Sequence, residues 1–262
     1  MRNYSVFVSS ADSYSDLWDL FFDLFHKYWP EYDGKIVLNT QKKSYTYPGL
    51  NIKCTNVGYL NGFGRTLRAG LDQVETDYVL FFLIDFIFMG RVNHVKLEAC
   101  FEYFDKNNLD ALCLIYQNQP MESCFDSTEI SKSLPSFHFF NYQVSFWKKS
   151  MLKEMALPHE NPWTSEWYGN KRAIAAGLDI RAINDKTNDV FIYNKAGCIH
   201  RGKWLPDAVG FLKREGYHID FRKRGYYQNE YQTFKVKLKL KLLFILHGLK
   251  GSYWRKITVK DV

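Results

Sequence analysis

The chain opens on a hydrophobic, β-prone run, Tyr4 to Ser9, that breaks at the polar stretch Ser10-Ala11-Asp12-Ser13. Beyond it Leu17, Trp18, Leu20, Phe21, Leu24, Phe25 and Tyr28 recur at helical spacing, which gathers them on one face of an amphipathic helix. Pro30 ends that helix. Lys35 to Asn39 and Asn51 to Thr55 read as two more strands, and Phe63 to Val74 as a second helix entered through Asn61-Gly62-Phe63-Gly64. Tyr78 to Ile84 is apolar at every position, the pattern of a central strand buried on both faces. It stops at Asp85.

The alternation continues with a helix near Val92 to Phe104 and a strand near Ala111 to Tyr116. Gln117 to Pro135 shows no clear period and reads as a surface excursion. Phe137 to Phe146 predicts a strand, Trp147 to Met155 a short helix, and Pro162 to Ala176 another, with Asn161 as its cap and Pro162 in its first position. Val190 to Tyr193 reads as a strand, and Ala196 to His200 leads into the turn Gly202-Lys203-Trp204. Strands alternating with helices predict an α/β fold of Rossmann type, a mainly parallel sheet flanked by helices. Residues 1–204 form its body, and 205–262 a basic C-terminal extension. In that extension lysines alternate with apolar residues from Lys235 to Leu242, ahead of the apolar run Leu243 to Leu249. The segment reads either as an interfacial element for an anionic membrane or as a terminal element packed on the body with its lysines in water.

With 262 residues, 46% of them hydrophobic, the chain can bury one sizeable core. Aromatic residues at 18% exceed what such a core needs, so some are expected to face a ligand or lipid. The five cysteines are scattered and lack a close pair, which points to reduced thiols in a cytoplasmic protein rather than a disulfide framework or zinc site. Val6-Phe7-Val8 is too short for the core of a secretion signal, and no stretch is long enough to span a membrane. The net charge of +7 is concentrated after Lys195. There the basic residues sit beside Leu and Ile rather than interleaved with aromatics, which argues against nucleic acid as the partner.

In an open α/β sheet, ligands bind beyond the carboxyl ends of the strands. That rule singles out Ser9, Ser10 and Asp12 after the first strand, Asn39 after the second and Asp85 after the buried one. Asp85 lies between Phe81-Phe82-Leu83-Ile84 and Phe86-Ile87-Phe88, where ionisation needs a partner. A metal ion, a ribose hydroxyl, a helix cap or a salt bridge would each serve. On the Pro162 helix, Trp163, Glu166, Trp167 and Asn170 share a face at helical spacing. An indole can stack on a pyranose, and an apolar neighbour raises a carboxyl toward a useful base. The same pattern also fits tryptophans in the core with Glu166 at the edge.

Three blocks in order carry a resemblance: Val8-Ser9-Ser10-Ala11-Asp12, then Asn61 to Leu67 before a helix, then Tyr78 to Phe88 with its acid. Phe146-Trp147-Lys148-Lys149 and Asn161-Pro162-Trp163-Thr164-Ser165-Glu166 follow. Together, over residues 4–204, they resemble bacterial GT-A glycosyltransferases of the kind that build surface polysaccharide or lipopolysaccharide. The resemblance implies a nucleotide-sugar donor, uridine-linked, and a glycan or lipid-linked acceptor at the inner face of the cell membrane. It makes Glu166 the general base of an inverting transfer, with Trp163 and Trp167 at the acceptor. Asp85 and His200 become candidates for a divalent cation, Mn2+ or Mg2+, but Ile84 stands where the first acid of the family's pair belongs, which counts against metal dependence. Arg201 and Lys203 suit the diphosphate, and Arg65 either touches the donor or is a solvated charge. The alternative reading is an inactive domain that keeps nucleotide or glycan recognition alone.

Overall fold

The computed structural model describes residues 3–228 together with Leu242 and Ile245. Its frame is a nine-stranded sheet, built from β1 (Tyr4–Ser9), β2 (Lys35–Leu38), β3 (Asn51–Cys54), β4 (Tyr78–Leu83), β5 (Ala111–Cys113), β6 (Met121–Ser123), β7 (Ile130–Ser133), β8 (Ser145–Lys148) and β9 (Ile180–Ile183). The order is β3-β2-β1-β4-β8-β5-β9-β7-β6. β1 pairs in parallel with both β2 and β4, and β5 with β9, while β8 and β7 run against their neighbours. The chain leaves β1 toward β2 and β3, then returns to β4 on the other side. This reversal opens a crevice beside the carboxyl end of β1.

Alternate residues of the same strands face two separate cores. Val6, Val8, Leu80 and Phe82 join the larger cluster, and Phe7, Val79 and Phe81 the smaller. Over the first face lie α1 (Trp18–Tyr28), α3 (His94–Lys106) and α6 (Pro206–Arg214); over the second lie α2 (Phe63–Leu71), α4 (Lys149–Met155) and α5 (Pro162–Ala175). The product is a three-layer α/β fold. α6 buries Ala208, Val209, Phe211 and Leu212, so packing continues past Trp204. Beyond β10 (Ile199–His200) and β11 (Lys203–Trp204), which form a hairpin, Tyr226 bridges to Trp204.

The first half follows its hydrophobic pattern closely; the middle does not. Gln117 to Pro135 is no excursion, because it supplies β6 and β7, the antiparallel edge of the sheet. β7 buries Ser131 and Ser133 and exposes Lys132, while β6 exposes Glu122 and Ser123, so neither strand has an apolar alternation to read. Phe137 to Val144 is irregular rather than a strand, although Phe139, Phe140 and Tyr142 are buried. Its backbone is held by side chains instead of a ladder. Phe140 N–H donates to Asn170 Oδ1 (2.9 Å), Asn170 Nδ2 to the Ser136 carbonyl (2.7 Å), and Tyr142 N–H to Glu166 Oε1 (2.9 Å). Ile180–Ile183 is a central strand that periodicity did not mark, and Val190 to Tyr193 is hydrogen-bonded loop.

α5 begins where the cap was expected. Asn161 Oδ1 accepts the Thr164 N–H and Thr164 Oγ1 accepts the Asn161 N–H, a reciprocal capping box. A buried ion pair then fastens the helix to the turn before it: Arg172 donates to both oxygens of Glu160 (2.8 and 2.7 Å), which is 1% exposed. The Glu160 carbonyl in turn accepts the Gly64 N–H at 3.0 Å, so α2, the 157–160 turn and α5 form one assembly. A Cβ on Gly64 would meet the Leu157 carbonyl oxygen at 1.9 Å. Gly64→Ala is therefore expected to lower stability by about 1–3 kcal/mol through overpacking. A reduced urea midpoint at unchanged m-value checks this.

Candidate functional site

The carboxyl ends of β1, β2 and β4 open into a cleft of about 540 Å³. It brings together most of the side chains singled out in the sequence: Ser9, Ser10, Asn39, Asp85, Trp163 and Glu166 line it, as do His200 and Arg201. These come from five stretches of chain that only the tertiary fold collects. Asp12, Arg65, Lys203 and Trp167 are not in the lining.

Asp85 follows β4 and ends on the cleft floor. No cation pairs with it among the described residues, and burial pushes its carboxyl up to about 7, with its own backbone N–H pulling the other way. The loop beyond is pressed onto it. Cys198 N–H donates to the Asp85 carbonyl at 2.8 Å, and a Cβ on Gly197 would lie 2.4 Å from Asp85 Oδ2. Gly197 also has φ +79°, so position 197 takes a side chain only with strain and collision. Burial and the Asp85 charge together raise the Cys198 thiol well above its ordinary value.

Ile84 stands where the resemblance leads one to expect an acid. It is 4% exposed and joins the larger apolar cluster, so a carboxylate there would be buried among hydrocarbon. Among the described residues, no three His, Cys, Asp or Glu side chains converge as metal ligands. Asp85 and His200 could supply two, with a donor diphosphate and water supplying the rest, a division that suits Mg2+ or Mn2+. Both side chains line the same cleft. His200 is held below its ordinary pKa by burial and by Arg201, which keeps the imidazole neutral at physiological pH. It also packs edge-on against Tyr227, with ring centroids 4.5 Å apart.

Glu166 reaches the cleft from α5. Burial raises its carboxyl, partly offset by the Tyr142 N–H on Oε1, and Oε2 has no recorded partner among the described residues. Trp163, one turn earlier and 55% exposed, stands beside it. Trp167 turns away to meet Phe137 edge-on at 5.2 Å, and Asn170 is spent on the 136–140 backbone. The four-residue face of the sequence thus divides into two cleft residues and two that shape the loop behind it.

The strand-end polar residues are mostly committed. Asn39 donates to the Thr66 carbonyl (3.1 Å) and accepts from Thr55 Oγ1 (2.9 Å), and Ser10 Oγ accepts from the Trp18 indole (2.8 Å). The Asp12 carboxylate receives the backbone N–H groups of Gln41, Lys42 and Lys43. Burial opposes its charge, but those donors and the nearby Lys43 ammonium hold its pKa below the ordinary value. Arg65 and Lys203 are exposed; Arg201, at the hairpin turn with φ +50°, borders the cleft. Reading the sequence missed Tyr14, Gln41, Gln143 and Lys195, which also line it. Tyr14 lies in a 3₁₀ helix, Asp12–Leu17, and the other three in loops, where neither periodicity nor strand-end position marks a residue.

Asp85 makes a pH-dependent contribution whose sign follows from its value. Its folded-state pKa of about 7 lies above the ordinary 3.8, so the folded chain holds its proton longer than the unfolded one. Stability contributed by the neutral acid is full below about pH 4 and is lost as pH rises through 7. In metal-free buffer without nucleotide, Asp85→Asn is expected to melt several degrees above the parent at about pH 8, the gap closing toward about pH 4. A pH-independent gap in thermal denaturation would show that Asp85 is ionised and paired throughout.

No protein-family model and no curated protein matches the chain. Among solved structures, it is similar to S. aureus TarS 1-349 at 17% identity and a TM-score of 0.45, over 70% of this chain and 58% of that one. It is also similar to the mannosyltransferase PcManGT from Pyrobaculum calidifontis in complex with GDP-Man and Mn2+, at 11% identity and a TM-score of 0.48, over 76% of this chain and 58% of that one. A third neighbour is 4-diphosphocytidyl-2C-methyl-D-erythritol synthase from Anaerococcus prevotii, at 13% identity and a TM-score of 0.45, over 82% of this chain and 98% of that one. The chain spans 58% of the length of each of the first two. Its α/β class rests on the sheet topology described above.

Proposed function

We propose that this protein transfers a sugar from a nucleotide-sugar donor to a hydroxyl of a glycan or lipid-linked acceptor, with inversion. The observation that carries the reading is the pair of carboxyls with raised pKa, Asp85 and Glu166, brought from β4 and α5 into one strand-end cleft beside an exposed tryptophan.

Each group has a chemical task. Glu166 Oε2 takes the proton of the acceptor hydroxyl as its oxygen attacks the anomeric carbon. The bond from that carbon to the diphosphate oxygen breaks, and the nucleoside diphosphate leaves with the bonding electrons. A raised pKa makes Glu166 a stronger base than an exposed carboxylate. Trp163 offers its face to the apolar side of a pyranose, and Arg201 and Lys195 border the cleft as cations for the diphosphate. A divalent cation, held by Asp85 and His200, would neutralise charge on the leaving diphosphate. Donor contacts by Lys203 and Arg65 or an acceptor contact by Trp167 require substrate to extend past the described lining.

The expected membrane-binding segment lies outside the described residues except for Leu242 and Ile245. Both are helical and expose their side chains, at 52% and 51%, which supports an interfacial role at an anionic membrane that presents a lipid-linked acceptor. No helix among the described residues is long and apolar enough to cross a membrane.

The test is nucleotide release from a panel of nucleotide sugars, with and without Mn2+. Glu166→Gln is expected to reduce kcat by about 10²–10⁴-fold with little change in donor KM. The parent rate should fall on acidification as Glu166 is protonated, beginning at a higher pH than an ordinary glutamate would give. Unchanged turnover in Glu166→Gln would remove the base assignment. Ile84 favours one rival, a nucleotide-binding domain without turnover. Thermal stabilisation by nucleoside diphosphate with no release from any donor would select it.

A further inference from the structure

The charged side chains of the cleft are unevenly placed. Asp85, Glu166, Lys195, His200 and Arg201 come from β4, α5 and the 195–201 segment. The part beyond β1 and β2 is lined by uncharged groups, among them Ser9, Ser10, Asn39 and Gln41. The two nearest lysines in sequence are engaged elsewhere: Lys42 Nζ lies 4.5 Å from the Tyr59 ring centroid, and Lys43 Nζ donates to Ser15 Oγ at 2.6 Å. Strand order puts β1 between β2 and β4, so the carboxyl ends of β2 and β4, which lead to Gln41 and Asp85, are about 10 Å apart. That separation is of the size between a nucleobase and the diphosphate of its nucleotide.

Gln41 is fixed at three points. Its N–H donates to Asp12 Oδ1 (2.9 Å), its carbonyl accepts the Gly58 N–H (2.8 Å), and its side-chain Oε1 accepts the Asp12 N–H (3.0 Å). The last bond decides which way the amide faces, because a backbone N–H can be met only by the oxygen. The Nε2 group, with two hydrogens and no acceptor recorded among the described residues, is therefore the end left for a ligand. A half-buried amide locked in this way is a donor that cannot reverse itself to become an acceptor without stranding the Asp12 N–H.

We propose that Gln41 is a base-specificity residue, whose Asp12-locked amide selects a nucleobase with a carbonyl edge over one with an amino edge. This rests on the nucleotide-sugar reading above and deepens it, making uracil rather than cytosine the pyrimidine of the donor. At C4 uracil presents a carbonyl oxygen where cytosine presents an amino group, so a fixed N–H donor facing that edge meets an acceptor in one and another donor in the other. The discrimination follows from leaving a donor unpaired, which is where hydrogen-bond selectivity is large.

The test is calorimetric titration of the full chain with UDP and with CDP, in the parent, Gln41→Glu and Gln41→Met. The parent should bind UDP about tenfold or more tighter than CDP. Gln41→Glu can still accept the Asp12 N–H but replaces the free donor with an acceptor, so the ratio should invert toward CDP even if both bind more weakly. Gln41→Met removes the donor and should bring the ratio near one. Equal binding of UDP and CDP by the parent, or a UDP preference that survives in both variants, overturns the assignment while leaving sugar transfer standing. A UDP preference that obeys Gln41, with no release from any nucleotide sugar, overturns the transfer reading and leaves the base-specificity assignment intact. Failure of every nucleotide to bind overturns both.

Discussion

The parallel pairing of β1 with β4 is the constraint on which the rest of the structure depends. Both strands are flanked by other strands and face a helical layer on either side, and their register runs unbroken from Tyr4 opposite Tyr78 to Ser9 opposite Leu83. Alternate side chains pack the two cores, so a slip of one residue would exchange Val6 and Phe82 with Phe7 and Phe81 across the sheet. The same register brings the ends of both strands out at one level. Ser9 and Ser10 then meet Asp85 across the crevice, and the return of the chain through β2 carries Asn39 and Gln41 to its other side. The cleft is a consequence of strand order before it is a feature of any side chain.

The second layer of helices supplies what the sheet cannot. α5 is fixed by its capping box and by the buried pair of Arg172 with Glu160, whose geometry is bidentate and whose partners are both withdrawn from solvent. A pair of this kind contributes little to net stability relative to hydrophobic replacements, but losing one partner leaves the other buried and charged. Its effect here is positional. With α5 held against the 157–160 turn and α2, Glu166 stands in the cleft, and its neighbours on the helix close the 136–142 loop by accepting and donating backbone hydrogen bonds. The carboxyl is buried by the loop that it helps to hold. The hydrogen bond from Tyr142 N–H to Oε1 ties that loop to α5, while Oε2 has no partner among the described residues.

Asp85 has the opposite situation. Its surroundings are arranged by backbone: the Gly197 approach, the Cys198 amide on its carbonyl, and apolar residues before and after it in sequence. No cation among the described residues compensates its charge, so the folded chain keeps a carboxyl with a pKa near 7 at the bottom of a solvent-accessible cleft. That energetic cost is the kind carried by functional sites, where a ligand supplies what the fold withholds. Ile84, buried in the larger core, leaves a second acid no place on the same strand end.

The amino-acid sequence by itself determined the α/β class, the two-faced burial of β4, the cap of α5 and the strand-end positions of Ser9, Asn39 and Asp85. Each follows from local rules: hydrophobic period, capping chemistry, and the placement of ligands beyond carboxyl ends. It could not mark β6 and β7, whose polar residues, exposed in β6 and partly buried in β7, show no apolar alternation, nor the irregular 137–144 segment, whose aromatics imitate a strand while its backbone bonds to α5 side chains. It placed Asp12 after the first strand, and tertiary structure brings three backbone amides onto its carboxylate. It gave Gln41 no distinction. The helical face from Trp163 to Asn170 was visible as a spacing, yet only packing against Phe137 and the 136–140 backbone sent Trp167 and Asn170 away from the cleft. Secondary structure is set by neighbours in sequence, so pattern reveals it. A side chain's role is set by whichever backbone and side-chain groups the fold brings within hydrogen-bonding distance, and that is decided only when the strands take their order.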